Sequence, residues 1–402
     1  MSARDAAHDR LAARLSAAIG RLEDPAAPMV VVDLDAFDAN LADLARRACG
    51  TPIRIASKSV RVPALLRRAL ADPAVEGVLS YNLREALWLA ENDVCDDMVV
   101  GYPTTDRVAL RRLSDDESLR SRVTLMIDDP AHLDLIDSCR SGDVPVKVAI
   151  DVDAGLRWGP SHVGPKRSPL YDTAEIVALA RAAQKRGFVV DGVMTYEGQV
   201  AGVQDDVPGQ RAKSAIVRRL KSASVAQLGE RRRRIADALR EVVELRFWNA
   251  GGSGSIESTV ADPVVTEVAA GSGLLVPGLF DHYQSFRPRP AAYFAVPVVR
   301  RPSAQVATVA GGGFIASGAA GKDRLPIPWA PSGLQVTGLE GVGEVQTPLT
   351  GPGAARLRIG DWVWFRHAKS GELAEHTNLV HLVQAADVVD TVPSYRGLGL
   401  AW

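Results

Sequence analysis

The sequence predicts an α/β fold, a (β/α)8 TIM barrel followed by a C-terminal antiparallel β-domain. Three observations carry this expectation. Short apolar runs alternate with helix-like stretches eight times over the first two-thirds of the chain. Polar residues follow these runs, on what would be one rim of a barrel. Near residue 275, helical periodicity gives way to short β-rich segments broken by Pro and Gly.

In chain order, residues 10–22 have helical spacing and are closed by Glu23-Asp24-Pro25, giving an N-terminal helical extension over 1–27. Val30 to Leu34 is strand-like and leads into a helix from Phe37 to Ala48. The eight barrel strands are expected at 53–56, 78–80, 98–100, 123–127, 146–150, 188–194, 245–248 and 266–270, the last being the least distinct. Helices are expected at 61–71, 83–91, 105–113, 130–138, 172–186 and 210–244. This places the barrel domain at 28–277 and the β-domain at 278–402.

A chain of 402 residues is too long for one ordinary compact domain. A net charge of −1 offers no basic field for nucleic acid. No apolar run approaches the roughly 18 residues of a membrane span, and no signal-peptide apolar core opens the chain. Cys49, Cys95 and Cys139 lack any pairing or metal spacing, which suits a reducing cytoplasm.

The rim residues are Lys58; Tyr81-Asn82; Tyr102; Asp128-Asp129; Asp151, Asp153 and Arg157; Tyr196 to Gln199; Asn249 to Ser255; and Gly271 to Gly273. Lys58 closes the run Ile53-Arg-Ile-Ala-Ser-Lys58. A lysine at the carboxyl end of an inner strand points into the mouth of the sheet, the partly desolvated position a Schiff base needs; the alternative is a surface lysine on a loop. Asn249-Ala-Gly-Gly252-Ser253-Gly254-Ser255, joined by Gly271-Ser-Gly273, gives a backbone able to wrap an anion after strands seven and eight, where barrel enzymes frequently bind phosphate. Lysine and phosphate site together point to pyridoxal phosphate. Arg157 would meet the cofactor's phenolic oxygen or a substrate carboxylate, or else pair with Asp151 or Asp153. Tyr196 and Gln199 would flank the ring, or Tyr196 would merely pack.

Ile-Ala-Ser-Lys58, the turn Asp153-Ala-Gly-Leu-Arg157, Tyr196-Glu-Gly198 and Gly-Gly-Ser-Gly-Ser255 resemble the alanine-racemase-type, fold type III pyridoxal phosphate enzymes. Within them the chain is most similar to the D-threonine aldolase and D-serine dehydratase branch, which includes bacterial amino acid deaminase/aldolases. The resemblance runs from about residue 28 to the end. It implies Lys58 as Schiff-base lysine and base at Cα, Arg157 at the phenolic oxygen, and Gly252, Ser253, Gly254 and Gly273 around the phosphate. It also implies a small amino-acid substrate and a head-to-tail homodimer. That branch carries a His-x-Cys or His-x-Asp metal pair, whereas this chain has His367-Ala-Lys369. Either a divalent metal is kept through His376 with Glu372 or His381, or Lys369 supplies the charge the metal would. His367, Lys369 and His376 are the candidates for the group at a substrate 3-hydroxyl. The expected activity is a lyase for 3-hydroxy-D-amino acids, by aldol cleavage or dehydration. The rivals are a racemase using Tyr283, Tyr293 or Tyr395 as second base, a cofactor carrier, and a barrel for some other phosphate.

Overall fold

The computed structural model describes residues 3–402. After a strand β1 (Met29–Asp33), the chain lays down β2 (Ile53–Ala56), β3 (Val75–Ser80), β4 (Met98–Val100), β5 (Val123–Ile127) and β6 (Lys147–Asp151). A small hairpin follows, β7 (Leu156–Trp158) and β8 (Ser161–Val163), and then β9 (Val189–Thr195), β10 (Phe247–Ala250) and β11 (Glu267–Ala270). Strands β2 to β6 and β9 to β11 close into an eight-stranded barrel, every neighbour parallel, with β11 returning to β2. These are the eight runs expected, each shifted by three residues at most at its start.

Helices cover the outside because the strands carry apolar side chains on both faces, as parallel strands must. Ile53 and Ile55 of β2 point outward into the main core with Leu65 and Leu66 of the helix Pro63–Leu70. The strand-to-helix turns are set by caps: Asn82 accepts from the Glu85 amide at 2.9 Å, and Asp106 from those of Val108 and Ala109. The expected long helix over 210–244 is Arg211–Arg240.

Inside the barrel the layers differ sharply. A middle plug of Val99, Met126, Ala149, Met194 and Phe247 is apolar. Another layer is ionic: Arg54, fully buried, donates to both Glu267 oxygens at 2.8 Å and to Asp97 at 3.0 Å. Removing the charge from one partner of such a buried pair is costly. The Glu267→Gln variant is expected to lose about 3 kcal/mol of stability, visible as a lower midpoint in urea unfolding; an unchanged midpoint would show that Asp97 alone suffices for Arg54.

The second sheet has nine strands: β1 together with β12 (Ala292–Ser303), β13 (Val306–Ala310), β14 (Ile327–Ala330), β15 (Gln335–Val336), β16 (Gln346–Thr350), β17 (Trp362–Arg366), β18 (Leu379–Gln384) and β19 (Asp387–Pro393). It is mostly antiparallel, the exception being β1 against β18. β1 thus lies between β12 and β18, far along the chain from itself, and the helix after it starts at Leu34. Alternation along β1 assigns its faces. Val30 and Val32 join Phe294 and Phe365 in the core shared with the barrel, while Met29 and Val31 face Trp364, Tyr293 and the N-terminal helix Ala3–Ile19 through its Ala12, Leu15 and Ile19. The indole N–H of Trp364 donates to Ser16 at 2.8 Å and fixes the helix on the sheet.

Candidate active site

The carboxyl ends of the barrel strands and the loop after β17 enclose a cavity of about 310 Å³. Lys58 sits on a 3-10 turn, Ser57–Ser59, directly after β2. Its ammonium donates to the Tyr102 hydroxyl at 2.8 Å. Burial pushes the Tyr102 phenol up, but the Lys58 and Arg167 charges outweigh it and hold it below the usual tyrosine value. Arg167 places its guanidinium 5.4 Å from the Tyr102 ring centre and 5.2 Å from that of Tyr196.

Opposite this cluster the loops after β10 and β11 are tied together. The Ser253 hydroxyl accepts the amides of Gly271 at 3.1 Å and Gly273 at 3.0 Å, and Ser59 and Ser272 hydroxyls meet at 3.2 Å. Glycine is required in this fold of chain: a Cβ on Gly254 would lie 2.2 Å from the Ala201 carbonyl, and one on Gly271 2.7 Å from that of Ala56. Glu197 anchors the arrangement from below, accepting the Gly251 amide at 3.1 Å and the Thr259 hydroxyl at 2.7 Å while Arg232 neutralises it at 3.0 Å.

The third wall comes from the β-domain. The chain after β17 crosses back to the barrel, with the amides of Gly278 and Leu279 donating to the His367 and Ala368 carbonyls. Lys369, Ser370 and Glu372 thereby line the cavity with Arg324. The Lys369 ammonium donates to the Ser317 hydroxyl and lies 3.4 Å from Glu372.

Of the residues anticipated from sequence, Lys58, Tyr196, Asn249, Gly252, Ser253, Gly271 and Lys369 line this one cavity. Gly254, Ser255 and Gly273 stand behind its wall as loop supports, with Ser255 bonded to Gly252 and Thr259. Arg157 lies outside the lining of this cavity, exposed on the β7–β8 hairpin with its guanidinium 3.5 Å from the Tyr171 ring centre. Gln199 is turned away, donating to the Ala154 carbonyl at 2.8 Å. His367 is buried outside the cavity, its ring 3.3 Å from the Ser370 hydroxyl. Burial, and secondly Arg366, hold its imidazole down at about 3, so it is neutral at any working pH. His376 is exposed and stacks on Phe314 at 4.2 Å. His381 bonds Thr391 within the sheet at 2.9 Å. Among the described residues no group of three or more His, Cys, Asp and Glu is placed to hold a metal ion. The metal alternative through His376 therefore finds no support.

Sequence reasoning assigned no role to Arg61, Arg167, Ser59, Arg324 or the Tyr102–Lys58 pair. Tyr102 was on the rim, but nothing in the sequence pairs it with Lys58. Arg167 lies past the β7–β8 hairpin in a segment with neither periodicity nor motif.

The fold and the site together define a class: a lysine at the mouth of an eight-stranded barrel, backed by a β-sheet domain. The sequence model of the alanine racemase N-terminal domain matches residues 32–276. The chain belongs to that family, the fold type III pyridoxal phosphate enzymes. Similar solved structures include D-threonine aldolase from Filomicrobium marinum, at TM-score 0.77 and 20% identity over 94% of this chain and 96% of that one. D-threo-3-hydroxyaspartate dehydratase from Delftia sp. HT23 follows at 0.70 and 20%, over 94% and 98%. Alanine racemase of Clostridium difficile 630 stands at 0.63 and 12%, over 92% and 100%. At these identities the likeness is one of fold. No curated protein matches the chain. No helix among the described residues is long and apolar enough to cross a membrane.

Proposed function

We propose that the protein is a pyridoxal-phosphate-dependent lyase for 3-hydroxy-D-amino acids, acting by aldol cleavage or by dehydration. The cavity chemistry suits the cofactor: a primary amine for its carbonyl carbon, serine hydroxyls and glycine-rich backbone for its phosphate, and a guanidinium for its ring oxygen. Lys58 would hold it covalently, with Ser59, Ser253 and Ser272 at the phosphate and Arg167 at the ring. When bound, pyridoxal phosphate takes up the electron pair left when a bond to Cα breaks.

The protein's own groups then decide which bond that is. Lys58 Nζ accepts or returns a proton at Cα, and Tyr102, already in hydrogen-bond contact, shares that proton. The observation that carries the lyase reading is Lys369. It stands in the cavity wall where the resembling branch has its second metal ligand, and it brings an ammonium in place of the metal. From there it would stabilise negative charge on a substrate 3-hydroxyl. His367, neutral and behind the wall, takes no part.

A racemase is disfavoured on a specific ground. The three tyrosines that could serve as second base are each fully buried in their own chain: Tyr283 bonds Ala201, Tyr293 bonds Pro290 and Tyr395 bonds Glu85. Each hydroxyl is thus engaged within its own chain. The reading includes the homodimer, which sedimentation measures directly, and a cytoplasmic location.

Proton NMR in deuterated buffer, with paired D- and L-3-hydroxy amino acids, tests the proposal. Aldehyde with glycine, or oxo acid with ammonia, formed from the D-substrate supports it and names the branch. Loss of the α-proton signal with only enantiomer formed would replace it by a racemase. In the same assay Lys369→Met is expected to lower kcat on the order of 10²-fold, the loss of one positioned proton donor or charge. Parity with wild type would remove Lys369 from the mechanism.

A further inference from the structure

The β-domain wall carries an arginine with no assigned task. Between β13 and β14 the segment 311–326, rich in glycine, leaves the sheet and reaches the cavity. It is latched there from two sides: the Ser317 amide donates to Glu372 at 2.9 Å, and its hydroxyl accepts from Lys369. Beyond the latch, Arg324 joins the cavity lining.

The loop makes room for this arginine. Gly318, at φ +125°, lies under its guanidinium, and a Cβ there would come within 3.0 Å of Nε and 3.3 Å of Nη2. The Ala316 amide donates to the Arg324 carbonyl at 2.9 Å and closes the turn. The other cations of the cavity are engaged: Lys58 with Tyr102, Arg61 with Glu375 and the Lys58 carbonyl, Lys369 with Ser317 and Glu372, and Arg167 against two tyrosine rings. Among the described residues Arg324 has an ion pair only with Asp323 at 3.6 Å, a carboxylate 55% exposed and therefore well screened, and its Nε has no hydrogen-bond partner among them. A guanidinium is a planar fork that matches a carboxylate through two parallel hydrogen bonds.

We propose that Arg324, delivered by the 311–326 loop, binds a carboxylate of the substrate and so selects amino acids over amines and aldehydes. The proposal rests on the reading above that the substrate is an amino acid. The carboxylate is either the one on Cα or a second one on the side chain.

The test uses the cofactor-loaded full-length protein. Calorimetric binding of acetate, which has a carboxylate but cannot react, is compared between wild type, R324Q, R324K and G318A. Kinetics with D-threonine and D-threo-3-hydroxyaspartate run alongside. R324Q is expected to weaken acetate binding and raise KM by roughly tenfold or more with a smaller change in kcat, the loss of a charge-assisted bond. R324K should recover part of this. G318A keeps the charge but fills the surface under the guanidinium, so it should move KM in the same direction. An equal effect on both substrates assigns Arg324 to the Cα carboxylate, and an effect confined to the dicarboxylate assigns it to the side chain. No acetate binding by wild type, or equal binding by R324Q, overturns the proposal. Wild-type inactivity towards every 3-hydroxy amino acid, with acetate binding still dependent on Arg324, overturns the lyase reading alone.

Discussion

The Lys58→Ala variant is expected to lose both covalent cofactor attachment and turnover, with kcat falling on the order of 10⁴-fold, the upper end for a positioned proton-transfer group. The lysine turn is held in place from several sides. The 3-10 turn that carries it begins where β2 ends, and the buried Ser57 hydroxyl donates to the Leu79 carbonyl at 3.2 Å, locking the turn onto β3. Arg61 donates to the Lys58 carbonyl at 3.0 Å and stacks over Tyr81 at 5.2 Å. Tyr102 receives the ammonium itself. Borohydride reduction followed by peptide mapping should label Lys58 in the wild type and nothing in Lys58→Ala; persistence of a label elsewhere would move the attachment site. A second readout needs no cofactor. The Tyr102 phenol is lowered by the Lys58 and Arg167 charges against the pull of burial, so removing Lys58 should raise its titration, seen in the ultraviolet absorbance of tyrosinate. No upward movement would show that the contact with Lys58 does not govern Tyr102.

The barrel was legible because parallel strands buried on both faces must be unbroken apolar runs, and such runs punctuated by helices have few architectures open to them. The faint eighth strand shows the limit of that signal. β11 begins on a glutamate, which local patterning reads as surface; Arg54, reaching across from β2, and Asn249 of β10 make Glu267 an interior residue. β1 shows a different limit. Its Met29–Asp33 run looks like any inner strand, and nothing local says that its partners are β12 and β18 at the other end of the chain. In the site, residues written into strand ends and glycine loops were found because backbone geometry demands them. Arg167 rather than Arg157 reaches the cavity wall because the β7–β8 hairpin turns the chain outward before it returns. Distance along the sequence from β6 therefore favours the arginine that faces solvent. For the β-domain wall the sequence offered His367, Lys369 and His376, and the loop geometry after β17 presents Lys369, with Ser370 and Glu372, while His367 stays outside the cavity lining.

That same loop supplies the second large effect, at a position with no functional group at all. Gly371 lies at φ +91°, and a Cβ built on it would stand 1.8 Å from the Lys58 carbonyl oxygen and 3.1 Å from the Ser59 α-carbon. The chain after β17 thus rests directly on the backbone of the lysine turn, and only hydrogen separates them. The Gly371→Ala variant must either push the lysine turn aside or lift the 3-10 turn Glu372–His376 away, taking Glu372 and the latch on Ser317 with it. Misplacement by about 1 Å can cost on the order of 10² in rate. We therefore expect kcat/KM to fall by about that factor with the protein still folded. The backbone strain of an alanine at positive φ is a separate cost, of order 1–3 kcal/mol in stability. Gly360→Ala separates the two: Gly360 has φ +93° in an exposed turn, with nothing within 4 Å of its would-be Cβ. Both variants should melt earlier than wild type, and only Gly371→Ala should lose activity. If Gly360→Ala were equally inactive, strain in the β-domain rather than contact with Lys58 would control the site. If Gly371→Ala kept full activity, the lysine turn would not depend on the β-domain for its position.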